Sequence, residues 1–386
     1  MATTLKDEIA IVGIGKTPQG TIEGSTALGL GIEAFKNAVD DAGLDKNQID
    51  GILTHPGTTS PEGATHYLRF AQAVGLNPRY THSLVMGGGS GGALIQSAAM
   101  AIEHGLADYV ACIFGDSART GGTKFGGSMA GGNALSQGIW GMFGPHANSA
   151  MGLRRHMALY GTTSEQLGHL AMNIRNNANL NPDAVMYDRE ITVEDHQNSR
   201  WIVEPLHLLD CCLISDGGVC IIVTSAERAK DLKQKPVYLS GMGQGYQAVS
   251  FENDDWWYLE HQKSALADAF AMAEATTDDI DVAQLYDNFT ISVLFWLEHA
   301  GFVGKGEAGP FVGEDRTALG GELPVNTAGG NLSESYMEGW LHIYEGAVQM
   351  RGDGGPRQVE GANLCLTTGR GLNLNCSNAL IMRNDG

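Results

Sequence analysis

Apolar positions fall in short runs of two kinds, and their alternation organises the chain. Continuous apolar stretches bounded by glycine or polar residues read as buried strands: EIAIVGIG at 8–15, GILTH at 51–55, THSLVM at 81–86 and DYVACIFGD at 108–116. Between them lie stretches with apolar residues every three or four positions. TALGLGIEAFKNAVDDAGL, an aromatic-containing segment around 65–75, and residues 91–105 predict helices. Strands alternating with helices predict parallel βαβ units.

Residues 121–205 break this rhythm. They are rich in Gly and Asn and hold short helical patterns such as SEQLGHLAMNIRNNA, which predicts an inserted loop domain over one face of an α/β body. The strand GGVCIIVTS (217–225) and the helix SAERAKDL end the first half. At PVYLSGMGQGY (236–246) the pattern restarts, with a helix over KSALADAFAMAEA, a strand at VAQLYD (282–287), a helix over FTISVLFWLEHAGF and another at 337–351. Strands at 363–370 and 378–383 close the chain. The repeated order predicts an internal duplication, with a first half at 1–235 that includes the loop domain and a second half at 236–386. Two adjacent doubly wound domains are the alternative.

Composition narrows the function classes. The 386 residues are 43% hydrophobic and 18% charged, as expected of a globular chain with a sizeable core. A formal net charge of -20 argues against nucleic acid, whose binding rests on Lys and Arg. No apolar run reaches the ~20 residues of a membrane span, and the first strand begins too early for a signal peptide. Six cysteines show no CxxC spacing, so a metal site is not expected, and a reducing cytoplasm is the expected compartment. The 53 glycines are expected mostly at strand ends and loops.

Several long segments then carry a resemblance: RRHMALYGTTSEQL, the run from NPDAVMYD through LHLLDCCLISDGGVCIIVTS, YDNFTISVLFWLEHAGF, and LPVNTAGGNLSESYMEGWLHIYEGAVQMRGDGGPRQV. In that order they resemble the thiolase superfamily, specifically the sterol-carrier-protein-like thiolases and the lipid-transfer-type steroid side-chain retro-aldolases. The resemblance implies a thiolase fold, two duplicated halves forming a five-layer αβαβα sandwich. It also implies four catalytic positions. The nucleophilic cysteine falls on Gly88, within Met86-Gly87-Gly88-Gly89-Ser90-Gly91. The asparagine of the second loop becomes Tyr286, in Tyr286-Asp287-Asn288-Phe289. The histidine six residues after a Gly-Gly pair becomes Tyr336, counting from Gly330. The fourth region, LTTGRGLNLN, has no cysteine at the corresponding place.

Without a thiol there is no acyl-enzyme. The tyrosine pair matches the retro-aldolase branch, so the resemblance implies cleavage of a β-hydroxyacyl-CoA to a ketone plus propionyl-CoA or acetyl-CoA. The substrate expected is a 17-hydroxysteroid side-chain thioester. Tyr286 and Tyr336 are the expected proton carriers. Gly88, Gly89, Asn288 and Gly330 are expected against the substrate, with Gly88 opening room for it and the turn's amides offering an oxyanion site. No cofactor is expected beyond the CoA of the substrate. A cysteine-less acyltransferase and a non-catalytic acyl-CoA or lipid carrier remain alternatives. The resemblance also implies a homodimer and a small OB-fold, zinc-ribbon partner, giving a heterotetramer.

Lesser candidates have structural readings of equal or greater weight. Lys305, Arg351 and Arg357 suit either CoA phosphates or the solvated surface. Glu334 and Glu338 flank Tyr336, where they either bias its protonation or start a helix. His55, His82, His146 and His156 are scattered, as structural histidines are.

Overall fold

The computed structural model describes residues 5–123, 144–247, 256–371 and 376–384. The predicted loop domain therefore has residues 124–143 outside the described part. Eleven strands are present there: β1 (Ile9–Lys16), β2 (Gly51–Pro56), β3 (Tyr80–Ser83), β4 (Tyr109–Ser117), β5 (Trp201–Val203), β6 (Leu206–His207), β7 (Asp216–Ser225), β8 (Val237–Tyr246), β9 (Val282–Gln284), β10 (Leu364–Gly371) and β11 (Cys376–Arg383). The short strands β5 and β6 pair with each other, and the other nine form one ladder, β3-β2-β4-β7-β1-β8-β11-β10-β9.

That ladder is a duplication. In the first half β1 pairs antiparallel with β7, β7 antiparallel with β4, and β4 and β3 each parallel with β2. In the second half β8 pairs antiparallel with β11, β11 antiparallel with β10, and β10 parallel with β9. The β1–β8 pairing, Ala10↔Tyr238 and Ile11↔Val237, joins the two halves within the ladder. The expectation of purely parallel units therefore needs correction. The last strand of each half inserts antiparallel between strands that share one direction.

Alternation along the strands builds the layers. Ile9 and Ile11 face a core shared with Leu94 and Ile95 of helix α3 (Ser90–Glu103) and with Trp340 and Ile343 of a later helix, Trp340–Arg351. Ala10 and Val12 face the other way, toward α1 (Ala27–Ala42) and α2 (His66–Val74). In the second half Leu380 and Met382 point to the shared core, whereas Ala379 and Ile381 face the opposite one. Five layers result, with α3 and the Trp340–Arg351 helix in the middle. The outer helix of the second half, His261–Ala273, packs on β8 as α1 packs on β1.

Glycine has a role here beyond strand ends. A Cβ on Gly15 would overlap the backbone of Ala34, and one on Gly243 the backbone of Ala265. Mid-strand glycines at equivalent places in the two halves thus let each outer helix lie directly on its sheet.

The remaining helices bear on the site. α4 (Gly144–Tyr160) and α5 (Ser164–Ala178) belong to the loop region, and α5 starts at a capping box of Thr163 and Gln166. In chain order, the His261–Ala273 helix is α6, Thr290–Ala300 is α7, and Trp340–Arg351 is α8. Among the described residues no helix is long and apolar enough to cross a membrane.

Three elements end earlier or begin later than their patterns predict, each next to the site. β3 stops at Ser83, ahead of the left-handed Gly87 (φ 52°). β9 stops at Gln284 because side chains replace its ladder partners: Leu285 N–H donates to Asn326 Oδ1 and Tyr286 N–H to Thr368 Oγ1. α8 begins at Trp340 because Glu338 and Gly339 both have left-handed φ, at 47° and 82°.

Candidate active site

Leaving the ladder at Gln284 carries Tyr286 into the interior between the two halves. Its amide is fixed 2.9 Å from Thr368 Oγ1, and its side chain is buried. Tyr336 follows a wide helical turn, Gly330–Glu334, and its N–H lies 3.4 Å from Ser215 Oγ. The two hydroxyls meet at 3.1 Å, with Tyr286 the more deeply buried ring.

Asp287 ties the two tyrosine loops together. Its carboxylate accepts from Asn331 N–H at 2.8 Å, from Leu332 N–H at 3.4 Å and from His342 Nε2–H at 2.9 Å. It is fully buried, so these donors replace its hydration.

Gly88 sits against this pair. A Cβ there would overlap Cζ and Oη of Tyr286 and the carbonyl oxygen of Arg370. The space freed by the missing side chain is thus filled by the protein's own tyrosine, which corrects the expectation that Gly88 opens room for substrate. The turn's amides are also partly committed, since Gly89 N–H donates to Met86 O at 3.1 Å and Ser90 N–H to Gly87 O at 2.9 Å. Gly330 has φ 54°, and a Cβ on it would overlap Asp287 Oδ2, so it serves the clasp between the loops. Asn288 Oδ1 accepts from Ser292 Oγ at 2.8 Å and from an Arg370 NH2 nitrogen at 3.2 Å. Of the predicted residues, Tyr286, Tyr336 and Gly88 converge directly, while Asn288 contacts Arg370 and Gly330 packs against Asp287.

Two charged side chains complete this site: Arg370, which was not among the sequence candidates, and Glu338, which was one of the two acidic residues noted beside Tyr336. Arg370 on β10 is buried, and burial lowers its guanidinium to about 10, with Tyr286, Tyr336 and Cys376 opposing that shift. Glu338 lies between Tyr336 and α8, and burial, reinforced by Asp116, pushes its carboxyl up to about 7. Burial also drives both phenols well above the ordinary tyrosine value of about 10, and Glu338 adds to both shifts. A basic residue in the glycine-rich LTTGRG stretch was the only available hint of Arg370.

The other candidates resolve into structure. Arg351 pairs with Asp41 at 2.8 Å, Arg357 with Glu345 at 3.0 Å, and Lys305 lies over the Tyr258 ring. His156 is held between Thr162 and Glu298. Glu334 pairs with Lys16 at 3.2 Å and so braces the turn before Tyr336. Cys376 lies nearer the site than its sequence position suggests. The β10–β11 pairing puts its sulfur 3.6 Å from Met86 O, behind the Gly88 turn.

A cavity of about 340 Å³ opens beside the tyrosine loops, lined in part by Cys212, Leu332 and Ser333. Arg119, Arg175 and Arg200 also line it, a concentration of cations in a chain of net charge -20. The cavity joins both tyrosine loops through the backbone: Cys212 N–H donates to Asn288 O and Leu213 N–H to Asn331 O.

With this geometry in hand, comparisons with known proteins give one answer. Residues 9–227 match the thiolase N-terminal domain, and residues 243–384 match the thiolase C-terminal domain-like family. A 17-hydroxy-3-oxo-4-pregnene-20-carboxyl-CoA lyase of Mycobacterium tuberculosis is 40% identical over 90% of this chain and 92% of its own length. A steroid side-chain-cleaving aldolase of Thermomonospora curvata is 37% identical over 96% of this chain and 97% of its own. Among solved structures, an Ltp2-ChsH2(DUF35) aldolase superposes with a TM-score of 0.90 at 36% identity, covering 99% of each chain. Human mitochondrial 3-ketoacyl-CoA thiolase, at 14% identity and a TM-score of 0.72 over 99% of each chain, shares the fold. The five-layer duplication, the two domain matches and these relatives together make the chain a member of the thiolase family.

Proposed function

We propose that this protein is a carbon–carbon lyase of retro-aldol type. Its substrate is a β-hydroxyacyl-CoA whose hydroxyl carbon is tertiary, as in a 17-hydroxysteroid bearing a short CoA-thioester side chain. The products are a ketone and propionyl-CoA or acetyl-CoA. The observation that carries this reading is the Tyr286–Tyr336 hydroxyl pair, with Tyr286 packed into the space a nucleophilic side chain at 88 would need. The named activities of the 40% and 37% identical relatives support it.

A tertiary alcohol cannot be oxidised to the ketone that a thiolase cleaves, and retro-aldol chemistry avoids that step. The hydroxyl proton leaves, the C–C bond breaks to a ketone, and its electrons pass to the thioester as an enolate, which takes a proton at carbon. The proton that leaves and the proton that arrives balance. Two phenols and the Arg370 cation near them suit such a step, supplying hydrogen bonds and charge where the enolate forms. The chemistry needs no thiol, and CoA enters only as part of the substrate.

The test is direct. Tyr286→Phe and Tyr336→Phe each remove one hydroxyl and leave the ring packing intact. Each is expected to lower ketone release from a 17-hydroxysteroid CoA thioester by about 10²–10⁴-fold. Ketone formation near the wild-type rate in both variants would refute the assignment.

The assembly follows the same reading. β3 is the outer strand of the sheet, and Leu68, Val85 and Met100, on or beside its flanking helices and turn, are about half exposed. This edge is the homodimer surface in our reading, and a small OB-fold, zinc-ribbon protein completes a heterotetramer. The solved aldolase named for a DUF35 partner supports that second association. Six free cysteines fit a reducing cytoplasm.

A further inference from the structure

Retro-aldol cleavage leaves a gap that the tyrosine pair alone does not fill. Both phenols are protonated at neutral pH, because burial holds them far above their ordinary value. A protonated phenol can accept the substrate's hydroxyl proton only if it hands its own to another group. The two tyrosines donate to or accept from each other, so the second acceptor lies beyond them.

Glu338 is the carboxylate whose charge acts on both phenols. It is two residues past Tyr336, and the next residue, Gly339, packs on the Tyr286 ring: a Cβ there would come within 3.1 Å of Cδ2 and 3.3 Å of Cε2. The Glu338 side chain is 11% exposed, and its Oε2 is buried with no hydrogen-bond partner among the described residues. His55 Nε2 faces it at 3.6 Å, too far for a hydrogen bond. His55 accepts from Trp340 Nε1–H at its Nδ1, which leaves the proton on Nε2, facing Glu338. Burial pushes that histidine down to about 3, so it faces Glu338 as a neutral ring rather than a cation. Glu338 also has a left-handed φ of 47°, a conformation a residue with a Cβ holds only where its surroundings impose it. A buried carboxylate with no Lys or Arg paired to it among the described residues, held in strained backbone near two phenols, is costly to the fold. Such a group persists where it has a task.

We propose that Glu338 is the proton store behind the Tyr286–Tyr336 pair: it takes the substrate's hydroxyl proton through the phenols and returns it through them to the enolate carbon. This rests on the retro-aldol reading and adds to it the group that makes the phenols act first as base, then as acid. The O–H bond of the substrate breaks as a Glu338 O–H bond forms. In the second step that bond breaks as the new C–H bond forms, so the enzyme ends as it began. Glu338 acts through the tyrosines and does not touch the substrate. The groups facing it are His55 from β2, Asp116 from β4, both tyrosines, and Cys212 from the loop before β7. Of these, only Asp116 is a second carboxylate, and it adds to the burial that holds the store near neutrality instead of in the usual acidic range.

The experiment measures kcat for ketone release from a 17-hydroxysteroid CoA thioester between pH 5.5 and 9, in wild type, Glu338→Gln and Glu338→Asp. Wild-type kcat is expected to rise with pH through a transition near 7. Glu338→Gln is expected to lose about 10²-fold or more and to lose that transition, with KM little changed. Glu338→Asp, which keeps a carboxylate, is expected to keep the transition with part of the rate. Circular dichroism of each variant confirms folding, and a glutamine that neutralises an unpartnered buried charge has no reason to unfold the site. A Glu338→Gln enzyme that keeps the pH transition, or keeps kcat within about threefold, overturns the proton store and leaves the lyase intact. Absence of ketone from wild type at every pH overturns the lyase reading itself.

Discussion

Placing one methyl group on Gly88 tests the central geometric claim. A Cβ there lies well inside 3.0 Å of two Tyr286 ring atoms and of the Arg370 carbonyl oxygen, closer than real Cβ atoms come. The tyrosine could shift, but the carbonyl belongs to a paired strand and has little freedom. Overpacking of this kind costs about 1–3 kcal/mol. With an unfolding entropy of about 2.1 cal/mol/K per residue over 386 residues, Gly88→Ala should lower the melting temperature by only about 1–4 °C. The larger effect is on catalysis. Moving Tyr286 Oη by about 1 Å breaks its 3.1 Å contact with Tyr336, and misplacement of that order costs about 10²-fold in rate. Thermal unfolding and initial rates of ketone release measure both effects. A double-mutant cycle with Tyr286→Ala isolates the tyrosine's share of the strain, because the clash with Arg370 persists when the ring is gone. Gly88→Cys, which restores the thiolase nucleophile, should for the same reason yield no thiolase. Wild-type melting and wild-type rate in Gly88→Ala, or an equal cost in both backgrounds of the cycle, would refute the claim that Tyr286 occupies the vacated site.

Three further outcomes follow from the same geometry. Glu338 binds a proton more tightly in the fold, at about 7 against 4.5 in the unfolded chain, so folding stability falls as pH rises through that window. The total is about 3 kcal/mol. Denaturant midpoints should then show Glu338→Gln more stable than wild type at pH 8 and equal to it near pH 4.5; equal stability at both would refute the buried-charge cost. Asp287→Ala orphans three buried donors across the two tyrosine loops. A loss of about 3–5 kcal/mol and of most activity is expected from urea unfolding and rate assays, and a stable, active variant would deny the clasp. Arg119→Ala and Arg200→Ala, at the rim of the 340 Å³ cavity, should each raise KM for the CoA thioester about 3–10-fold with kcat nearly unchanged. Unaltered KM in both would place the CoA phosphates elsewhere.

The run of strands and helices was legible because hydrophobic period is local: EIAIVGIG and its later counterpart VYLSGMGQGY announce the same unit twice, and β1 and β8 do occupy equivalent places in the two half-sheets. The motif positions of Gly88, Tyr286 and Tyr336 were legible for a similar reason, since each is a departure at a fixed spacing. Strand direction was less so. β7 and β11 have the composition of any buried strand, and only the ladder shows that they run against their neighbours.

Sequence by itself thus determined the fold class, the doubled plan and the absence of a nucleophile at position 88. It could not decide what fills the space. That depends on where side chains point after distant segments pack, and Tyr286, Arg370 and Gly88 come from three such segments. Likewise the chain left Glu338 open between biasing the protonation of Tyr336 and starting a helix. Only packing shows that carboxylate buried, with Asp116 adding to its shift and no Lys or Arg paired to it among the described residues. The glycine at 88 matters because of its neighbours: the missing side chain is the condition for Tyr286 to stand where it does.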